Sequence, residues 1–90
     1  MMDFELEGRV AIVTGASRGL GRAAAAALIE QGVRVVAAAR SAKALGDLKS
    51  TAPEQVHCVP CDMKDASAVG LLPQAAIDRF GGLDIIVNNA

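Results

Sequence analysis

Short apolar runs alternate along this chain with stretches of helical periodicity. Val10–Thr14 (VAIVT) is a continuous apolar run without polar alternation, which predicts a strand buried on both faces. From Gly19 to Gln31 the residues Leu20, Ala23, Ala24, Ala27 and Leu28 recur at i, i+3, i+4, i+7 and i+8, with Arg22 and Glu30 off that stripe. This predicts an amphipathic helix, and Gly32 supplies its stop. The alanine run 23–27 favours helix and has little bulk, so the helix can lie close on a sheet.

Val33–Ala39 is expected as the second strand. Ser41 then caps a helix over Ala42–Lys49, in which Gly46 costs about 1 kcal/mol. Val56–Cys61 reads as a third strand, with Pro60 near its end where a ladder bond can be dropped. A third helix is expected from Asp65 or Ser67 to Phe80. Pro73 either kinks it or begins a new helix after an irregular turn. Gly81 and Gly82 end it, and Leu83–Asn88 (LDIIVN) is the fourth strand. Such alternation predicts an α/β fold with a doubly wound parallel sheet. Right-handed crossovers restrict the strand order to 3-2-1-4, which puts a ligand crevice between strands 1 and 4, outside their carboxyl ends.

Composition narrows the function. With 52% apolar and 21% charged residues, the chain is not disordered. Its 9 basic and 10 acidic residues form no block, so neither nucleic acid nor a membrane surface is an expected partner. The 18 alanines against 2 aromatics suit close helix–sheet contact rather than an aromatic core. The first residues, MMDFELEGRV, carry acids where a signal peptide has bases, and Asp3, Glu5 and Glu7 read as a solvated lead-in. No apolar run approaches a membrane span, so a cytoplasmic location is expected. The two cysteines then read as cytosolic thiols.

The segment that carries chemistry is Thr14-Gly15-Ala16-Ser17-Arg18-Gly19-Leu20-Gly21, between the first strand and the first helix. Gly15 permits a tight exit from the strand, while Gly19 and Gly21 let a pyrophosphate and the neighbouring strand approach the backbone. The helix N-terminus offers unpaired N–H groups and a partial positive charge to an anion. Gly21-Arg22-Ala23 lacks the lysine and hydroxyl of a P-loop, which argues against an ATPase.

At these residues the chain resembles the short-chain dehydrogenase/reductase family, whose fingerprint is Thr-Gly-x-x-x-Gly-x-Gly. Asn88-Asn89-Ala90 matches the first three residues of that family's N-N-A-G motif, and Asp62 stands where the family has an acid contacting the adenine ring. The resemblance covers the whole chain and implies a Rossmann-type sheet, of which four strands are present. It also implies hydride transfer between a nicotinamide cofactor and a carbonyl or alcohol substrate, and a homo-oligomer at full length.

The end of the second strand bears on the cofactor. An enzyme preferring NAD places an acid about 20 residues past the glycine motif. Here that region reads Ala38-Ala39-Arg40-Ser41, and Arg18 lies inside the glycine loop. A guanidinium binds a 2′-phosphate bidentately and a serine hydroxyl adds a donor, so NADP is expected in preference to NAD. The expected cofactor-binding residues are Gly15, Ser17, Arg18, Gly19, Leu20, Gly21, Arg40, Ser41, Asp62, Met63, Asn88, Asn89 and Ala90.

Cys58 and Cys61 have C-x-x-C spacing, but on a strand they point to opposite faces and do not open a helix. No metal site is expected there, and His57 reads as an ordinary strand histidine. The family's catalytic tyrosine, lysine and serine follow its N-N-A-G motif. This chain has no tyrosine, and its serines all precede Asn88. No residue here is therefore expected to be catalytic. Residues 1–90 read as the N-terminal part of a single NAD(P)-binding domain, cut after the fourth strand and inactive alone. The alternative is an inert nucleotide-binding module or remnant.

Overall fold

The computed structural model describes residues 6–89, so Asp3, Glu5 and Ala90 lie outside the described residues. The elements run β1 (Val10–Thr14), α1 (Gly19–Glu30), β2 (Arg34–Ala39), α2 (Ala42–Thr51), β3 (Val56–Pro60), α3 (Ala66–Gly70), α4 (Leu72–Phe80) and β4 (Ile85–Val87). The strands form one sheet of order β3-β2-β1-β4, as the alternation predicts. All its pairs are parallel, with Ile12 opposite Val36 on one side and Ile86 on the other.

β1 is central, and all five of its residues are buried. Its alternating side chains divide between two apolar layers. Ala11 and Val13 join Val35, Ala37 and Val56 beneath α1 and α2, where Ala25, Leu45 and Leu48 cover them. Val10 and Ile12 join Val36 and Ala38 against Leu72 and Ala76 of α4. Around β1 both faces of the sheet exclude water, the condition under which a parallel strand is uniformly apolar, whereas the edge strand β4 leaves Ile86 exposed.

α1 packs in a different phase from the one its periodicity suggests. Gly21 and Ala25 are buried and Leu28 and Ile29 are partly buried, whereas Leu20 is 79% exposed and Ala23 and Ala27 face solvent. The alanine run makes neighbouring phases equally apolar, so the closest backbone approach decides. The Gly21–Ala25 line offers the smallest side chains to the sheet.

The segment after β3 resolves into two helices. Asp65 caps α3 by accepting the Ser67 and Ala68 N–H groups at 3.0 and 3.2 Å. The helix breaks at Leu71, and Pro73 stands in the first turn of α4, where its missing N–H costs no helical bond. Gly81, at φ 85°, ends α4 in the left-handed region. β4 is shorter than the apolar run around it. Asp84, just before it, donates its N–H to the Val10 carbonyl at 2.8 Å, while its carboxylate accepts the Val10 N–H at Oδ2 (2.9 Å) and lies 3.4 Å from Arg9.

Candidate functional site

The loops leaving β1, β2 and β3 converge with Asn89 around one open cleft of about 1220 Å³. Parallel strands make this convergence inevitable, because every carboxyl end lies on the same edge of the sheet. The first loop contributes Gly15, Ser17, Arg18, Gly19 and Leu20, and the second Ala39, Arg40 and Ser41, with Ala44 of α2 behind them. Asp62, Met63 and Lys64 close the third side.

The glycine loop is held from below. The Ala16 N–H donates to the Ala38 carbonyl at 3.2 Å, tying it to the end of β2. Gly15 and Gly19 have φ of 63° and 61°, a left-handed conformation that side chains rarely adopt. A Cβ on Gly15 would collide with the Asn89 carbonyl oxygen, and one on Gly21 with the Gly15 carbonyl. Gly19 differs, since a Cβ there would meet nothing within 4 Å on its open side. Gly21 is thus a packing glycine beneath the loop, and Gly19 belongs to the cleft surface.

α1 begins at Arg18 without a side-chain cap and with no acid in its first turn. Its first N–H groups and the positive end of its dipole are therefore available to an anion in the cleft. α2 is the contrast, because Ser41 Oγ accepts the Ala44 N–H at 3.1 Å. That bond uses a lone pair of the hydroxyl and leaves its proton free to donate.

Asn88 and Asn89 separate in role. The Asn88 side-chain oxygen lies 3.1 Å from the Thr14 hydroxyl, which donates to it. The Asn89 backbone N–H donates to the same hydroxyl oxygen at 2.9 Å, and Asn89 lines the cleft. Asn88 therefore fixes the strand end rather than the cleft wall.

Sequence reasoning missed Ala39, Ala44 and Lys64 as lining residues, and Thr14 as the hub beneath them. Lysine in a polar loop carries no pattern, and the Thr14 contacts join residues 74 and 75 positions apart. Among the described residues, Arg18, Arg40 and Lys64 have no carboxylate partner.

Cys58 packs on the α1/α2 side of the sheet and Cys61 on the α4 side, as strand geometry requires. Burial pushes both thiols above their ordinary range. Such thiols are poor nucleophiles near neutral pH. Among the described residues no group of three or more His, Cys, Asp or Glu side chains is placed to hold a metal. No described helix is long and apolar enough to cross a membrane.

Residues 9–90 match the short chain dehydrogenase family, and the chain belongs to it. It is 49% identical over 87 residues to an uncharacterized oxidoreductase of Staphylococcus haemolyticus, covering 96% of this chain and 38% of that protein. It is 40% identical over 89 residues to the rhamnolipids biosynthesis 3-oxoacyl-[acyl-carrier-protein] reductase of Pseudomonas aeruginosa, covering 97% and 35% of the two chains. A short chain dehydrogenase from Bacillus anthracis superposes with a TM-score of 0.85 at 30% identity, over 94% of this chain and 35% of that one. The chain thus spans little more than a third of the length of these relatives.

Proposed function

We propose that residues 1–90 form the cofactor-binding part of a single-domain NADP-dependent oxidoreductase, acting on a small carbonyl or alcohol substrate in the cytoplasm as a homo-oligomer. The observation that carries this reading is the uncapped N-terminus of α1 opening onto a cleft that also receives Arg18 and Arg40. The nicotinamide of such a cofactor supplies or accepts the hydride.

This chain's own residues bind and orient. The N–H groups at the start of α1, with Gly19 beside them, hold a pyrophosphate. Arg18, Arg40 and the free Ser41 hydroxyl proton hold a 2′-phosphate by charge-assisted bonds. Asp62, Met63 and Ala44 face the adenine, while Leu20 and Asn89 border the way toward the reacting end. The fourteenth residue, Thr14, keeps Asn89 against the loop. Ala90, which follows Asn89 in sequence, belongs to the same binding motif by the family resemblance.

The runner-up is a nucleotide-binding module without chemistry, favoured by the absence of any tyrosine from these 90 residues. Thermal unfolding of the chain alone, with NADP and with NAD tests both. A nucleotide at about 100 times its Kd stabilises the fold by about 2.7 kcal/mol, a shift of several degrees for a chain of this size. A rise with NADP and little with NAD supports the 2′-phosphate reading. Equal rises remove it and leave a dinucleotide site, and no rise with either removes both readings for this chain. Turnover of a carbonyl substrate by the chain would decide against the inert module.

A further inference from the structure

The third loop of the cleft contains a cation that the family fingerprint does not assign. Lys64 lines the cleft with Arg18 and Arg40, and Asp62 is the one carboxylate among the lining residues. The three cations follow β1, β2 and β3 respectively, which are adjacent in the sheet. With strands about 4.8 Å apart, the ends of β1 and β3 lie about 10 Å apart along the carboxyl edge, and the loops that carry the cations leave from those ends.

The loop bearing Lys64 is braced by hydrogen bonds to its own backbone N–H groups. Asp62 Oδ1 accepts the Lys64 N–H at 2.9 Å, and the Asp62 carbonyl accepts the Asp65 N–H at 2.9 Å. The neighbouring Asp65 carboxylate is occupied in capping α3. Both acids of the loop thus turn onto backbone N–H groups, while the Lys64 ammonium has no ion-pair partner among the described residues. Three cations against one carboxylate leave the lining net positive, and the low-dielectric walls of a cleft concentrate that field within the opening.

We propose that Lys64 is a third cation of the 2′-phosphate site and a determinant of preference for the phosphorylated dinucleotide. This rests on the reading of Arg18 and Arg40 given above. Lys64 acts on the extra dianionic charge through space, and its contribution is therefore sensitive to salt. Arg18, Arg40 and Ser41 make the direct bonds.

Titration calorimetry of the chain and its Lys64→Ala variant with NADP and with NAD tests this. At about 0.01 M salt, where screening extends over about 30 Å, the variant should lose about threefold in NADP affinity and little in NAD affinity. At about 1 M salt the two chains should bind NADP alike. Lys64→Arg should restore the wild-type value. Lys43→Ala serves as the control for net charge, because Lys43 pairs with Asp47 at 3.6 Å outside the cleft lining. Equal weakening of both nucleotides, no weakening of either, or the same effect from Lys43→Ala would overturn the role of Lys64. A wild-type chain that binds NAD and NADP equally, or neither, would overturn the underlying 2′-phosphate reading and this inference with it.

Discussion

Thr14 and Asn89, 75 residues apart in sequence, are joined by a 2.9 Å hydrogen bond in which the Asn89 N–H donates to the Thr14 hydroxyl. The hydroxyl in turn donates to Asn88 Oδ1 at 3.1 Å, with the Val87 carbonyl at 3.4 Å. Thr14 is 5% exposed, so its hydroxyl depends on these bonds rather than on water. Thr14→Val keeps the shape and removes the hydroxyl, leaving a half-buried N–H unpaired. The expected loss is about 1–3 kcal/mol in urea unfolding, with Thr14→Ser close to wild type. A Thr14→Val chain as stable as its parent would show that the strand end needs no such latch.

Two glycines should respond in opposite ways to the same methyl group. Gly21→Ala drives a Cβ into the Gly15 carbonyl and the Asn89 side chain, where neither backbone can retreat without opening the loop. The expected cost is at least about 1–3 kcal/mol, with loss of nucleotide binding. Gly46 lies within α2, and a Cβ there meets nothing within 4 Å. Gly46→Ala should stabilise the chain by about 1 kcal/mol, read as a rise in Tm. A stabilising Gly21→Ala would contradict the packing described for the loop.

The strand order and both faces of β1 were readable from the chain because an uninterrupted apolar run admits one environment in a parallel sheet. The Pro73 boundary was readable as a choice between two outcomes, and the helix start is the one realised. The phase of α1 was not readable. Phase depends on contrast between neighbouring positions, and Ala23–Ala27 offer none. The glycine loop was legible because its backbone conformation demands particular residues, which leaves a trace in sequence. Lys64 leaves no such trace, and Thr14, though first in the fingerprint, gives no sign of its bonds to Asn88 and Asn89. Their roles arise from where distant strands end, and that is a property of the assembled sheet.

The pH dependence of stability should fall away on both sides. Burial, followed by the charges of Arg79 and Lys49, holds the His57 imidazole below its ordinary 6.5. The unfolded chain then binds a proton first, so stability present above about pH 6.5 is lost as the pH falls through that value. Burial raises the Cys58 thiol above 9.0, opposed by Lys49, and raises the Cys61 thiol with help from Asp65 and Asp62. The unfolded thiols ionise first, and stability present below about pH 9 is lost as the pH rises beyond it. Urea midpoints measured across this range should show both limbs. His57→Gln should flatten the acid limb and leave the alkaline one, and a Cys58→Ala, Cys61→Ala chain should do the reverse.

Discrimination between the nucleotides should reside chiefly in the two arginines. Arg40 and Arg18 enter the cleft from different loops, and neither is tied to a carboxylate among the described residues. Each is therefore free to bond a phosphate without first breaking an ion pair. Arg40→Ala removes a charge-assisted interaction of about 1.5–3 kcal/mol and should weaken NADP binding about 10- to 100-fold. NAD, without the 2′-phosphate, should change by less than about twofold on the same scale. If both arginines hold one phosphate, the Arg18→Ala, Arg40→Ala chain should lose less than the product of the single effects, because the second removal acts on a ligand already displaced. Arg40→Asp goes further, since a carboxylate at the end of β2 repels the phosphate and accepts bonds from the free ribose hydroxyls, reversing the preference toward NAD. Calorimetric titration of the parent, the two single alanine variants, the double variant and Arg40→Asp with both nucleotides measures all of these effects. Parallel losses for NAD and NADP in Arg40→Ala would move Arg40 from the 2′-phosphate to the part of the nucleotide that the two cofactors share.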